Sequence, residues 1–273
     1  MTIFGIDIPA STTVDPVAAA RAAEDLGYDF VSTSDHPSGT DPSNETWTML
    51  TWMAAHTSRI GVMPRVLGVP YRNPAMVAKM AETLDRLSGG RLILGLGGGA
   101  SDEEFRAFGI AVPSPRDKVD GLAEAIELVR GLWTEPALTY PGRLHHAVAA
   151  PLEPKPARRI PIWVGTFGPR ALAVTGRLAD GWMPSLGYAP LDELPRMRDR
   201  IAAAAESAGR DPGDITYALN VEVPADETPE RVAERLCGLT RMGFTVLNLK
   251  PSGPSRDELV ERLAREVLPA VKE

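Results

Sequence analysis

One cysteine, Cys237, stands in 273 residues, which excludes an internal disulfide and a cysteine-rich zinc site and fits a reducing compartment. Cys237 reads as a small buried side chain on a helix, with a nucleophile as the other reading. Positive charge is not in excess either. Lys plus Arg number 29 against 36 Asp plus Glu, a formal net charge of -7, so no electrostatic footprint for nucleic acid or an anionic membrane surface is present. No apolar stretch approaches the roughly 20 residues that a membrane helix needs. The first nine residues carry Asp7 and no basic start, so neither export nor anchoring is expected and the expected location is cytoplasmic. Histidine is scarce, with four in the chain, and this confines acid-base chemistry near neutral pH to few positions.

With 44% apolar and 24% charged residues the chain has the composition of an ordinary globular protein, not of a disordered, collagenous or coiled-coil one. Gly and Pro number 25 each and recur throughout, which marks many element ends rather than one linker. Runs rich in Val, Ile and Leu at 3–8, 30–34, 60–67, 92–96, 162–165, 181–184, 216–223 and 245–250 predict strands. Between them, helical periodicity covers 16–26, 45–57, 74–87, 117–133, 169–178, 191–208, 229–242 and 257–271. Asp15-Pro16 and Thr228-Pro229 are start signals, and Leu26-Gly27 and Met242-Gly243 are stop signals.

Eight strand-helix pairs, at a length near the roughly 250 residues usual for the architecture, predict an α/β fold: one closed (β/α)8, or TIM, barrel forming a single domain over 1–273. Residues 134–159, with five prolines, are expected to be an insertion between the fourth helix and the fifth strand. Tyr140-Pro141-Gly142-Arg143 is the expected turn of a small outer hairpin.

Such a barrel places functional side chains at the C-terminal ends of its strands. The second strand ends in Ser34-Asp35-His36-Pro37. His36 is the candidate proton donor or acceptor, and Asp35 orients the imidazole or bonds a cofactor. The bland alternative is a capping aspartate beside an exposed histidine. His56, in a helix's last turn, is assigned a structural part, and the adjacent His145 and His146 point to opposite faces of a strand, so no metal site is expected.

The fourth strand runs into Gly95-Leu96-Gly97-Gly98-Gly99-Ala100, where Gly97 and Gly98 give close backbone approach to a flat or phosphorylated ligand, or only to a neighbouring part of the chain. A dinucleotide-binding motif is rejected there, because the acidic residue it needs at the next strand's end is replaced by Asp117 at a helix start. Gly165-Thr166-Phe167-Gly168, followed by Pro169 and Arg170, suits a phosphate at a helix N-terminus or is a plain turn. Pro64 lacks the donor that an inner strand needs, so a bulge is expected near Arg65, which is either an anion contact or an ion-pair member.

These stretches together resemble the bacterial luciferase-like monooxygenase superfamily, especially its members that use the deazaflavin coenzyme F420. The resemblance rests on residues 23–30 leading to Ser34-Asp35-His36, on 71–74 to 78–79, on 83–91 continuing into 94–97, on 161–165 and on 179–182. It implies a barrel with the cofactor ring in the mouth, His36 and Asp35 near the reacting ring, and Arg65-Val66 at a bulge where such enzymes often hold a non-proline cis peptide. It further implies backbone room at Gly97 and Gly98, and a phosphate turn at Gly165, Thr166, Phe167 and Gly168. Pro64-Arg65 departs from the small residues usual at the bulge, and Phe167 from the first of two glycines common in the turn.

The leading expectation is therefore an F420-dependent oxidoreductase that moves a hydride to or from a small organic molecule. An FMN-dependent monooxygenase fed by a partner flavin reductase, and a non-catalytic flavin-binding barrel, are the alternatives. A cofactor-free isomerase or aldolase is disfavoured, since only Lys250, at the eighth strand's end, is placed for a Schiff base. A homodimer fits the resemblance. Trp47, Met49, Trp52, Tyr71 and the insertion are either substrate-selecting or core; Trp47, Leu50 and Ala54 recur at helical spacing.

Overall fold

The computed structural model describes residues 2–272, with Lys272 by its backbone alone. The parallel strands are β1 (Ile3–Asp7), β2 (Phe30–Thr33), β3 (Gly61–Pro64), β4 (Leu67–Gly68) and β5 (Leu94–Gly97). After an outer hairpin of β6 (Leu138–Pro141) and β7 (His146–Ala150) come β8 (Ile162–Val164), β9 (Gly181–Trp182), β10 (Thr216–Pro224) and β11 (Val246–Ser252). The order is β3-β2-β1-β11-β10-β9-β8-β5-β4. β3 and β4 share one position in the ring: β3 pairs with β2 and β4 with β5. A parallel bridge from Val62 to Leu92 joins the two ends of the sheet. The result is the eight-position (β/α)8 barrel expected from the strand-helix alternation.

The break between β3 and β4 falls where Pro64 removes a donor. The Arg65 amide still donates to the Thr33 carbonyl at 2.8 Å, and the Arg65-Val66 peptide is cis.

The helices are α1 (Pro16–Asp25), α2 (Thr46–Ala55), α3 (Pro74–Leu87), α4 (Asp102–Ala107), α5 (Pro115–Thr134), α6 (Pro169–Leu178), α7 (Leu194–Ser207), α8 (Pro229–Arg241), α9 (Arg256–Arg262) and α10 (Leu268–Lys272). A short π-helical turn, Leu263–Val267, joins the last two. The signalled caps start their helices: Asp15 Oδ1 accepts from the Val17 and Ala18 amides, and the Thr228 hydroxyl from that of Arg231; Asn73 Oδ1, at a start not signalled beforehand, accepts from that of Ala75. α4 is an addition to the expected set, inserted between β5 and α5. The antiparallel hairpin of β6 and β7 forms inside the 134–159 insertion and lies along α5, where Glu124 accepts from the Arg143, Leu144 and His145 amides.

Strands alternate inward and outward side chains, and the barrel's interior is filled in layers. The lower layer holds Phe30, Met63, Trp163, Met183, Ala218 and Val246, with the Phe30 and Trp163 rings edge to face at 6.2 Å. Gly5 is required beside them, because a Cβ there would fall 2.2 Å from the Phe30 ring. The outward residues, among them Val31, Leu94, Leu96, Ile162 and Leu247, pack with the helices in the larger core. Trp47, Leu50 and Ala54 belong to that core, so their helical spacing marks packing. Cys237 on α8 is half-buried rather than buried. Among the described residues no helix is long and apolar enough to cross a membrane.

Candidate active site at the barrel mouth

One layer above Phe30 and Met63 the inward side chains turn polar. Asp7 ends β1, Ser32 lies on β2, Arg65 follows β3, Asn220 lies on β10 and Asn248 on β11. Asn248 Nδ2 donates to Asn220 Oδ1 at 2.8 Å and to Ser32 Oγ at 2.9 Å. Ser32 Oγ lies 3.4 Å from Asp7 Oδ1, which takes Arg65 Nε at 2.9 Å. Barrel interiors are dominated by branched apolar side chains; here a hydrogen-bonded belt crosses the barrel under its mouth. Asp7, Asn220 and Asn248 did not stand out in the sequence, since each is a lone polar residue in an apolar run.

Asp35 and His36 rise from the end of β2 in different directions. Asp35 is buried and its carboxylate is fully engaged: Oδ2 accepts from the Gly68 amide at 2.9 Å and from Arg72 Nη1 at 2.7 Å, and Oδ1 from Arg72 Nη2 at 2.9 Å. Arg72 also reaches Glu45 Oε1 at 2.5 Å. Burial works against the Arg72 charge, but the bonds and charges of Asp35 and Glu45 outweigh it and raise its pKa. The expectation that Asp35 orients the imidazole is thereby corrected. It instead ties the loop after β2 to β4 and, through Arg72, to the start of α2, and so fixes the backbone that presents His36.

The imidazole's partner is Glu104 of α4. His36 Nδ1 lies 2.8 Å from Glu104 Oε1, with His36 58% and Glu104 12% exposed. Glu104 Oε2 accepts from the Tyr71 hydroxyl at 2.5 Å. Burial, the bond to Glu104 and the charges of Glu104 and Asp35 push the Tyr71 phenol above its ordinary pKa, so it stays a neutral donor. A carboxylate only accepts; Nδ1 therefore carries a proton toward Glu104, and Nε2 is left for chemistry. The sequence held a sign of this helix: Ser101-x-x-Glu104 is a capping-box pattern, and Ser101 Oγ accepts from the Glu104 amide at 3.3 Å. Phe105 packs on Tyr71 at 4.9 Å, and Lys118 of α5 holds Asp102 at 2.7 Å.

The glycines serve the chain itself more than expected. A Cβ at Gly97 would lie 2.6 Å from Val66 Cγ2, and one at Gly165 3.5 Å from the same methyl. Val66, at the cis peptide, thus lays its side chain between β5 and the end of β8 as an apolar platform. A Cβ at Gly98 would meet the Lys118 carbonyl at 2.9 Å, so Gly98 makes room for α5. Thr166 is buried, and its hydroxyl meets Thr175 Oγ1 at 2.7 Å beneath α6. Thr175 donates to Ala171, so the Thr166 proton is spent inward. Gly168 caps α6 without a side-chain bond, and nothing lies within 4 Å of where its Cβ would be. Arg170 is drawn to Asp120 at 2.7 Å and stays exposed. Open space above the uncapped amides of Gly168 and Arg170, which flank Pro169, fits a phosphate, and the Val66 platform between side-chain-free positions fits a flat ring.

His56 bonds the Trp52 carbonyl through Nδ1 at 2.8 Å at the end of α2. His145 and His146 belong to the outer hairpin, where burial lowers the His145 pKa despite the charge of Glu124. Among the described residues no three His, Cys, Asp or Glu side chains gather closely enough to hold a metal.

The barrel thus carries a histidine–glutamate pair, an apolar platform and an open turn at one end, and sequence comparison gives the family. A profile described as luciferase-like monooxygenase matches residues 9–266; the chain belongs to that family. It is 32% identical over 262 residues to an F420-dependent glucose-6-phosphate dehydrogenase of Nakamurella multipartita, covering 91% of this chain and 74% of that one. The enzyme of the same name from Kineococcus radiotolerans is 34% identical over 227 residues, 79% of this chain and 65% of that one; the matched stretch thus spans just under two thirds of that relative's length. In fold the chain is similar to an F420-dependent secondary alcohol dehydrogenase in complex with an F420-acetone adduct, with a TM-score of 0.87 at 20% identity, covering 100% of this chain and 99% of that one. The coenzyme F420 dependent tetrahydromethanopterin reductase from Methanopyrus kandleri gives 0.83 at 21%, covering 98% and 99%.

Proposed function

We propose that the protein is an F420-dependent oxidoreductase in which His36 transfers the proton that accompanies hydride exchange with a small organic substrate. The observation that carries this reading is the His36–Glu104 pair, Nδ1 to Oε1 at 2.8 Å, with the imidazole exposed at the mouth. The names of the curated relatives support the choice of F420.

The residues present fit such a cofactor: Val66 between Gly97 and Gly165 would support the ring, and the amides of Phe167, Gly168 and Arg170 would hold the phosphate, Pro169 having none. When bound, the deazaflavin supplies or accepts the hydride. The protein's own groups do the rest. Glu104 holds the Nδ1 proton and stabilises the imidazolium when Nε2 is protonated. From that state Nε2 donates to a substrate oxygen during reduction; neutral, it accepts the hydroxyl proton during oxidation. Tyr71 holds the other oxygen of Glu104, and the Asp35–Arg72 pair keeps the loop in place.

Titration of the purified protein with F420 and with FMN, each oxidised and reduced, tests the reading. Saturable, tight binding of F420 with FMN at least tenfold weaker is expected. The reverse order would replace it with the FMN-dependent alternative.

A further inference from the structure

We propose that Arg65 forms an oxyanion subsite in the mouth that takes the carboxylate of a small organic acid, which makes the substrate an acid rather than a neutral alcohol or ketone. The inference rests on the hydride-transfer reading above and narrows its substrate.

Alternation along the strand puts Arg65 on the same inward face as Met63, in the polar belt. Its side chain is 15% exposed and its Nε is committed to Asp7 Oδ1 at 2.9 Å. A guanidinium has five N–H donors in a planar fork. The four on Nη1 and Nη2 meet no acceptor among the described residues, and neither nitrogen is a sealed, unpaired atom. That end of the fork matches the two oxygens of a carboxylate.

The local charge also favours an anion. Arg256 places Nη2 on the Asp7 backbone carbonyl at 2.5 Å, so two guanidiniums converge on the end of β1, where Asp7 is the one buried carboxylate. The other carboxylate near Arg256, Asp257, is 92% exposed and 3.3 Å away, where water screens it. Arg65 is also joined to the strand that presents His36, since its amide donates to the Thr33 carbonyl at 2.8 Å. The anion-holding and proton-handling groups therefore come from neighbouring strands.

Saturation-transfer NMR with pyruvate and with acetone, its counterpart without the carboxylate, tests the subsite at fixed ionic strength. Pyruvate is expected to bind saturably in a range where acetone does not. Arg65→Gln is expected to weaken pyruvate at least tenfold, as loss of charge-assisted bonds does. Asp7→Asn keeps an acceptor for Nε but removes its charge, and is expected to tighten pyruvate severalfold. Mere structural damage would weaken binding in both variants. No saturable pyruvate binding to the wild type, equal binding to Arg65→Gln, or weaker binding to Asp7→Asn overturns the proposal. F420 titrations on the same samples keep the two readings apart: pyruvate binding as described without F420 binding sinks the cofactor assignment alone, and the converse sinks the subsite alone.

Discussion

His36 and Glu104 are 68 residues apart in the chain, yet Nδ1 and Oε1 meet at 2.8 Å, because α4 folds back over the end of β2. General acid-base groups contribute about 10²- to 10⁴-fold to rate. His36→Ala is expected to lower kcat by that range while leaving the F420 dissociation constant within about threefold; steady-state kinetics and fluorescence titration check both. Unchanged hydride transfer at saturating cofactor would remove the role of His36.

Val66 and Gly97 are fitted to each other. In Gly97→Ala the new methyl would stand 2.6 Å from Val66 Cγ2, and overpacking of this kind costs about 1–3 kcal/mol. Gly97→Ala is expected to lower stability by that amount and to weaken F420, whereas Val66→Ala added to it restores stability. A double-mutant cycle by chemical denaturation reads the compensation. Simple additivity of the two losses would contradict the contact.

Removing the charge of Asp35 strands the half-buried guanidinium of Arg72. Breaking a buried pair from one side costs about 3–5 kcal/mol; Glu45, 43% exposed in its side chain, replaces little of it. Asp35→Asn is expected to lose an amount near the lower end, read by urea unfolding, and to lower kcat only indirectly, with its effect on KM for F420 small. A loss of F420 binding at full stability would instead restore a direct cofactor contact for Asp35.

The expectations met by the fold follow from one physical fact: inner barrel strands are buried on both faces, so residues such as 92–96 and 245–250 appear as apolar runs that survive without tertiary information. Caps such as Asp15 and Thr228 are local too. The site was less legible because its pairs are non-local. Asp35 meets Arg72, and Arg65 meets Asp7, only after the barrel has closed, and Asp35 next to His36 in sequence suggested a pair that the backbone directs apart. Gly97 and Gly98 illustrate a different limit: a glycine signals close approach without saying whether a ligand, Val66 or the Lys118 carbonyl makes it. α4, at six residues, is too short for a periodic signal, and only its Ser101-to-Glu104 capping pattern was readable.

Asp180 links acid stability to the lower rim. Burial opposes its charge, but Arg130, the Ile162 amide and Arg159 together hold its pKa below the usual value of 3.8. Its bonds reach Arg130 Nη2 at 2.6 Å and Arg159 Nη2 at 2.7 Å. A carboxylate whose folded pKa is depressed contributes stability that is complete above the unfolded value and is lost as pH falls through the folded one. Asp180→Asn is expected to cost about 2–4 kcal/mol at pH 7 and to flatten the fall of stability below about pH 4. Urea midpoints across pH 2–7 check this; parallel curves for both proteins would contradict it.

The ¹⁵N spectrum of the His36 imidazole is the most direct measurement, with His36→Ala supplying the assignment among four histidines. Long-range ¹H–¹⁵N correlations at a pH where the ring is neutral are expected to show the proton on Nδ1, toward Glu104, and to shift at Nε2 when F420 is added. A proton on Nε2, or resonances indifferent to F420, would contradict the assignment of this mouth and this histidine to deazaflavin chemistry.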